Sequence, residues 1–279
     1  MTYYGEYSTV TAVRSQYLDA TGTSDDALVL EMIRQASREL EDMTNRHYAP
    51  IIATNYYDVP IINWNKDILM DDDLLDLTTL TNGDGSVIPS TEYKLYPLNV
   101  TPKQLIRLVK TLVQWQLPSN GDPMAGISVL GVWGYQRNYD QAWTTTNATI
   151  AGAGITDAAT SATVTTGKIY SGDLIKIDDE YIYVSAVVTG ASDTLTLVRG
   201  VNGSTAAAHL IAAPLYRWDY GYDSRQLITR AAAGYYKVRG NPLSDSITVD
   251  GMNFTTPKDV NIWMQKQAQT LGLVRIGLA

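Results

Sequence analysis

Between about Thr144 and Arg217 the chain is dominated by Ala, Thr, Gly, Ile and Val, and a turn signal arrives every eight to twelve residues. The signals are Gly152 with Gly154, Gly167, Ser171-Gly172-Asp173, Gly190 and Asn202-Gly203. Runs that short leave no room for a helix of ordinary length, so they read as the strands of a small all-β unit. Asp173 to Ile177, Glu180 to Val188 and Thr194 to Arg199 are its clearest strands.

On either side the pattern changes to a helical period. Leu28, Met32, Ile33, Ala36, Leu40 and Met43 recur as one apolar stripe, with Ser24-Asp25-Asp26 offering cap oxygens and negative charge at its start. Asn45 tolerates the left-handed conformation that closes a helix, and Pro50 blocks continuation. A second stripe, Leu227, Ile228, Ala231, Ala232 and Tyr235, follows a cap at Asp223 or Ser224 and runs to about Val238. The third has Thr256 as its cap, Pro257 at its first position, a face of Val260, Trp263, Met264, Gln267 and Leu271, and Gly272 as its stop. Extended segments are expected at Ile51 to Asp58, Leu74 to Thr81, Glu92 to Tyr96, Gln104 to Val109 and Ile127 to Trp133. The expected fold class is α+β: a helical core, made of a long N-terminal helix and two C-terminal helices, with strands. Residues 1–143 and 218–279 form that core as one discontinuous domain, and 144–217 is an inserted all-β domain.

The chain's 279 residues are enough to bury a large core. Zero cysteines exclude disulfides, thiolate metal sites and a cysteine nucleophile. Two histidines, His47 and His209, make a multi-histidine metal centre untenable. The start has neither a basic region nor an apolar run of the secretory kind, and no segment is long and apolar enough to span a bilayer, so a soluble protein made in a cytosol is expected. Charge is uneven: residues 1–80 carry 14 acids against 5 bases, and residues 218–279 carry 5 acids against 7 bases. An acidic face meeting a basic one would suit head-to-side contact between copies. Nineteen Tyr and six Trp stand against one Phe, a balance that suits surfaces buried in one state and wet in another.

Reactive constellations are scarce. Asn82-Gly-Asp-Gly85 has part of a calcium loop, but Leu80 and Thr91 stand where that loop needs acids, so a turn is the better reading. Asp71-Asp72-Asp73 with Asp76 reads as separately solvated acids. Asp178-Asp179-Glu180 lies on a hairpin, where neighbouring acids point apart and cannot form a glycosidase pair. Gly152-Ala-Gly154 lacks the third glycine and the strand of a dinucleotide fingerprint. His47 and His209 read as structural, with His209 on a local carbonyl. No catalytic residue, no metal and no cofactor is expected, and the chain does not read as an enzyme.

Ser24-Asp-Asp-Ala-Leu28, Ile33-Arg-Gln-Ala-Ser37 and Leu40-Glu-Asp-Met-Thr-Asn-Arg46-His-Tyr48 resemble the opening of tailed-phage head–tail connector proteins, the adaptor family that docks under the portal. Asn45 stands where that family has glycine. Ile127-Ser-Val-Leu-Gly-Val-Trp-Gly-Tyr135 is similar to the family's strand ahead of a helix like Leu227 to Tyr236. Within the insert, Gly172-Asp-Leu-Ile-Lys-Ile-Asp178, Glu180, Val198-Arg-Gly200, Asn202-Gly203 and His209 are similar to a small β module of phage virion proteins.

The resemblance implies a structural virion protein of the neck, assembled in the host cytoplasm. Copies would form a homo-oligomeric, dodecameric ring between the portal protein and the tail or stopper protein. Double-stranded DNA would pass through without specific binding, and no membrane would be involved. Trp263, Leu271, Leu273, Val274, Arg275 and Ile276 would dock on the portal. Tyr3, Tyr4, Tyr7, Trp133 and Tyr135 would make intersubunit contacts, with Met1 to Val10 and Leu271 to Ala279 as flexible ends that order on assembly. The alternatives are a tail-completion or stopper protein of the same passage, or a receptor- or carbohydrate-binding virion module.

Overall fold

The computed structural model describes residues 4–18, 22–60, 67–109, 113–239 and 247–275. Its contacts divide the chain into two compact units, Met1–Ala49 with Gln141–Ala279, and Pro50–Asp140. Those boundaries do not coincide with the expected division into 1–143 with 218–279 and 144–217.

In the unit Pro50–Asp140, five antiparallel strands pair in the order β1-β5-β2-β4-β3. They are β1 (Ile51–Tyr57), β2 (Asp67–Thr81), β3 (Tyr93–Tyr96), β4 (Lys103–Leu108) and β5 (Ile127–Trp133). Along β5 burial alternates strictly: Ile127, Val129 and Trp133 face a core shared with Ile68, Leu74, Leu80 and Ile106. That period of two is what a sheet with one covered face requires. Gly131, at the buried phase of β5, leaves room for the Asp76 carbonyl, which a Cβ would strike. The Asn82-Gly-Asp-Gly85 loop is the turn expected: Gly85 N–H donates to the Asn82 carbonyl at 2.9 Å and Asn82 N–H to the Ser86 carbonyl at 2.8 Å.

The other unit opens with a one-turn helix α1 (Val10–Val13) and a π-turn at Arg14–Leu18, followed by α2 (Asp26–Thr44). Six strands come next: β6 (Trp143–Thr149), β7 (Ser161–Thr165), β8 (Leu174–Ile177), β9 (Glu180–Val188), β10 (Ser192–Val198) and β11 (Pro214–Trp218). Helix α3 (Tyr222–Val238), a hairpin of β12 (Ile247–Val249) and β13 (Met252–Phe254), and α4 (Pro257–Thr270) complete it. The six strands pair in the order β6-β11-β8-β9-β10-β7. The sheet then curls until its edges meet: Ile150 bridges Val164, and Ala151 N–H donates to the Thr163 carbonyl at 2.9 Å. Closing the sheet this way removes open edges, and its interior is filled by Ile150, Val164, Ile175, Ile182, Val184 and Leu195. Helices α2, α3 and α4 pack on one another. Small residues let α3 approach α4: Gly234 faces Val260, whose methyl would lie 3.1 Å from an added Cβ.

The expected fold class is corrected. The described residues hold thirteen strands in three sheets, strand outweighs helix by 34% to 25%, and the four helices are short, so the molecule is mainly β and not a helical core. The helical stripes repeat over several turns, whereas strands of three to seven residues such as β6, β7, β11, β12 and β13 carry little periodicity each. Local details also differ. Asn45 does close α2 in the left-handed conformation, at φ 50° and ψ 46°, but the Asp25 side chain makes no capping bond to α2. Helix α3 starts at Tyr222 behind Gly221, ahead of the expected cap. Helix α4 has the full capping box of Thr256 with Asp259. It ends in a Schellman turn, with Leu273 N–H on the Ala268 carbonyl and Gly272 N–H on that of Gln269.

Candidate functional site

Two clusters of buried polar side chains stand out, both in the unit of α2 and the six-stranded sheet. The first fixes the chain's beginning. Asn202, held at φ 52° in the turn after β10, accepts from Tyr4 N–H at 2.8 Å and donates to the Tyr4 carbonyl at 2.9 Å. A carboxamide can do both at once, so it acts as a strand partner for one residue. Arg38 on α2 donates to the Gly5 carbonyl at 2.8 Å. Tyr7 N–H donates to Ser37 Oγ at 3.1 Å, its hydroxyl donates to Glu41, and Tyr48 N–H donates to that hydroxyl at 3.2 Å. The Tyr7 ring packs on Tyr48 and Tyr220, and Ser8 Oγ meets Thr229 Oγ1 at 2.7 Å.

Beside this strap lies a cleft of about 310 Å³ that Glu6, Asp173, Arg217 and Tyr220 help to line. Glu6 Oε1 accepts from Arg34 Nε at 2.9 Å and from the Tyr183 hydroxyl at 3.1 Å. Burial raises the Glu6 carboxyl above its ordinary range, against the pull of Arg34. Asp173 accepts from Tyr170 N–H at 2.8 Å, while Arg217 stands at 3.7 Å. Burial therefore wins, and the Asp173 carboxyl is pushed up to about 7. Burial also lifts the Tyr7 and Tyr220 hydroxyls well above the usual phenol range.

The second cluster centres on Glu180, the first residue of β9, whose side chain is wholly buried. Arg199 grips it with two nitrogens, at 2.7 and 2.6 Å. Gly200 N–H at 2.9 Å, Ala207 N–H at 3.1 Å and His209 Nε2 at 2.8 Å add three more donors. Burial pushes this carboxyl up, but Arg199 and the other donors outweigh it and hold it below its ordinary value. The far nitrogen of His209 meets Asp178 Oδ2 at 2.8 Å. His209 thus bridges two carboxylates, not the local carbonyl expected. Arg199 also donates to the carbonyls of Thr156 and Ala207, so the segment 199–209 is tied down along its length.

The residues singled out for contacts fall in several places. Tyr3 and Ile276 lie outside the described residues. Tyr7, Trp133 and Tyr135 are buried within their own chain, Trp133 donating to the Ala53 carbonyl at 3.0 Å and Tyr135 accepting from Arg137 at 2.6 Å. Tyr4 stacks on Tyr183 and is strapped down by Asn202. The described part of the start is therefore anchored in its own unit and is not a free arm. At the other end Leu273 is buried, and Arg275 N–H donates to the Thr44 carbonyl at 2.9 Å, so the tail turns back onto the end of α2. Val274 and Arg275 are half-buried, as are Trp263 and Leu271, which line a small groove between α3 and α4 with the exposed Tyr222.

His47 faces Glu41 at 3.4 Å. No trio of metal-ligating side chains is present among the described residues, and no described helix is long and apolar enough to cross a membrane.

Outward-facing apolar groups cluster on pinned loops. Leu98 and Val100 are more than half exposed, and the Lys103 ammonium holds their loop by donating to the carbonyls of Pro97, Leu98 and Val100 at 2.8, 3.0 and 2.8 Å. Leu210 and Ile211, 81% and 60% exposed, follow directly on His209. Comparison with protein-family models, with curated proteins and with solved structures finds no match.

Proposed function

We propose that this chain is a structural subunit of a tailed-phage neck: an adaptor that rings the DNA channel beneath the portal and offers the tail its docking platform. The observation that carries the reading is a division of labour. Its buried charged side chains are largely occupied in tying down its own segments, while apolar side chains stand exposed on loops that Lys103 and the Glu180 cluster immobilise. Rigid loops presenting Leu98, Val100, Leu210 and Ile211 lose little entropy on contact, which suits a part made to associate. The acid excess of residues 1–80 fits a passage along which DNA slides without being gripped. Of the docking residues the resemblance implies, Trp263, Leu271, Val274 and Arg275 are half-buried, the first two at the α3–α4 groove.

The test is to mix the purified chain with the portal protein of its own phage and image the product. A coaxial ring of twelve copies under the portal is expected. A ring that joins only the tail-side component would reassign the chain to the stopper. Turnover of peptidoglycan, or glycan binding with no affinity for portal, would refute an adaptor role.

A further inference from the structure

Asparagine precedes glycine at three places in the chain, Asn82, Asn120 and Asn202. A glycine in second place leaves its backbone nitrogen unshielded and free to turn towards the side-chain carbonyl carbon before it. The fold treats the three steps differently. Asn82 is 5% exposed, its Oδ1 accepting from Gly83 N–H at 3.0 Å and Gln116 N–H at 2.8 Å, its Nδ2 donating to the Gln114 carbonyl at 3.1 Å. A Cβ on Gly83 would strike the Gln116 carbonyl, so the backbone there has no room to turn. Asn202, 4% exposed, is held on Tyr4 by both ends of its carboxamide. Asn120, by contrast, is exposed, in the loop that leads to Met124. Its Oδ1 accepts from Asp122 N–H at 3.0 Å, and its Nδ2 has no hydrogen-bond partner among the described residues. Gly121, at φ 73°, has open space where a Cβ would stand.

The bonds that shape this loop tip are local. Gly121 N–H donates to the Pro118 carbonyl at 2.8 Å and Met124 N–H to Asp122 Oδ1 at 3.0 Å. Opening bonds of that kind disturbs no strand and costs less than freeing a buried carboxamide. The bond from Asp122 N–H also draws electrons away from the Asn120 carbonyl carbon. We propose that Asn120-Gly121 is a self-modification site, at which the folded chain converts Asn120 to aspartyl and isoaspartyl residues with water as the only co-reactant. The Gly121 nitrogen gives its proton to water or hydroxide and attacks Asn120 Cγ. As that N–Cγ bond forms, the Cγ–Nδ2 bond breaks and the side-chain nitrogen leaves as ammonia. Water then opens the five-membered imide at either of its carbonyls, which yields the two acids. Either product adds a negative charge between Leu117 and Met124, 47% and 71% exposed, so this surface changes as the protein ages. The assignment does not rest on the adaptor reading.

Trypsin puts the three steps on separate peptides, 67–94, 111–137 and 200–217, each holding a single asparagine. The full chain is incubated at pH 8 and 37 °C, native and in parallel in guanidinium chloride, then digested. Mass spectrometry with fragmentation follows the gain of mass as amide becomes acid. In the native chain Asn120 should convert about tenfold faster than Asn82 or Asn202, because each of those must first be freed from buried hydrogen bonds. Its product should separate into aspartyl and isoaspartyl peptides. In guanidinium chloride the three rates should draw together, since the local sequences are alike and the fold no longer distinguishes them. Gly121→Ala sets a methyl beside the attacking nitrogen and should slow conversion at Asn120 several-fold. The comparison of native with denatured parent decides whether or not that variant folds. Native conversion no faster at Asn120 than at the other two would overturn the proposal. So would the same ratio persisting in guanidinium chloride, an aspartyl product alone, or a parental rate in Gly121→Ala.

Discussion

Asp173 and Glu180 are buried carboxylates at the ends of adjacent strands, β8 and β9, yet the protein treats them in opposite ways. Five donors converge on Glu180, two of them from a guanidinium. Asp173 accepts from one backbone N–H and sees its arginine only at 3.7 Å. Burial costs both of them hydration. In the first case the lost water is replaced in full and the carboxyl is held ionised. In the second it is not, and the carboxyl rises to about 7. A saturated buried charge is a structural rivet, whereas an undersatisfied one stores free energy that protonation or a ligand can release.

The sharpest way to break the comparison is to remove the rivet. Glu180→Ala leaves the buried Arg199 guanidinium without its counter-charge, a situation that typically costs about 3–5 kcal/mol. Urea denaturation should show that loss, with Glu180→Gln losing less because its amide oxygen still accepts. A loss under ~1 kcal/mol for the alanine variant would mean the cluster is no more than a surface ion pair. The strap gives the next largest effect. Tyr7→Phe deletes the hydroxyl that joins Glu41 to Tyr48 N–H, leaving buried partners unmet at about 1–3 kcal/mol. Faster hydrogen exchange across residues 4–9 should accompany it, and unchanged exchange would show that the strap is held elsewhere.

How much of this was legible follows from how far apart the partners lie. The helices could be read because an apolar stripe repeats over several turns and local residues mark its ends, as Thr256, Pro257 and Gly272 do for α4. The hairpin of β12 and β13 carries only a two-residue signal, Asp250-Gly251, with positive φ at both residues. Thr/Ala-rich β6 and β7 have none as clear. Glu180, Arg199, Asn202 and His209 did stand out, through their likeness to a β module, but their roles did not. What brings them together is the register of β9 against β10 and the path of the following loop, which single residues do not encode. The tyrosine surplus misled for a physical reason. A Tyr buried with its hydroxyl bonded, such as Tyr7, has the same composition signature as one at an interface.

The undersatisfied acid predicts a pH dependence of definite sign. Because the Asp173 carboxyl sits near 7 in the folded chain and near 3.8 when exposed, the folded state holds its proton more tightly. Its contribution to stability is then greatest below the unfolded value, declines as pH rises towards 7 and stays low above it. Asp173→Asn removes the titration, so the variant should gain on the parent as pH rises to 8, by at most the ~4 kcal/mol that a move from 3.8 to about 7 represents. The gain should shrink to nothing near pH 4. Denaturation curves at intervals across that range decide it, and parallel pH profiles for the two proteins would show that Asp173 is not the group responsible.

Asn202 gives the smallest effect and ties the two regions together. It stands in the segment that Arg199 and His209 fasten to Glu180, and its carboxamide clamps the main chain of Tyr4 at the edge of the strap. Asn202→Asp keeps the shape but loses the donor to the Tyr4 carbonyl and puts a carboxylate there, at a cost of about 1 kcal/mol. If the rivet positions the clamp, the two are not independent. In Glu180→Gln the segment is already loosened, and adding Asn202→Asp should cost less than it does alone, with a coupling of about 0.5–1 kcal/mol. Strict additivity would show that Asn202 is placed by its own turn, and that the saturated and unsaturated carboxylates share a unit without sharing stability.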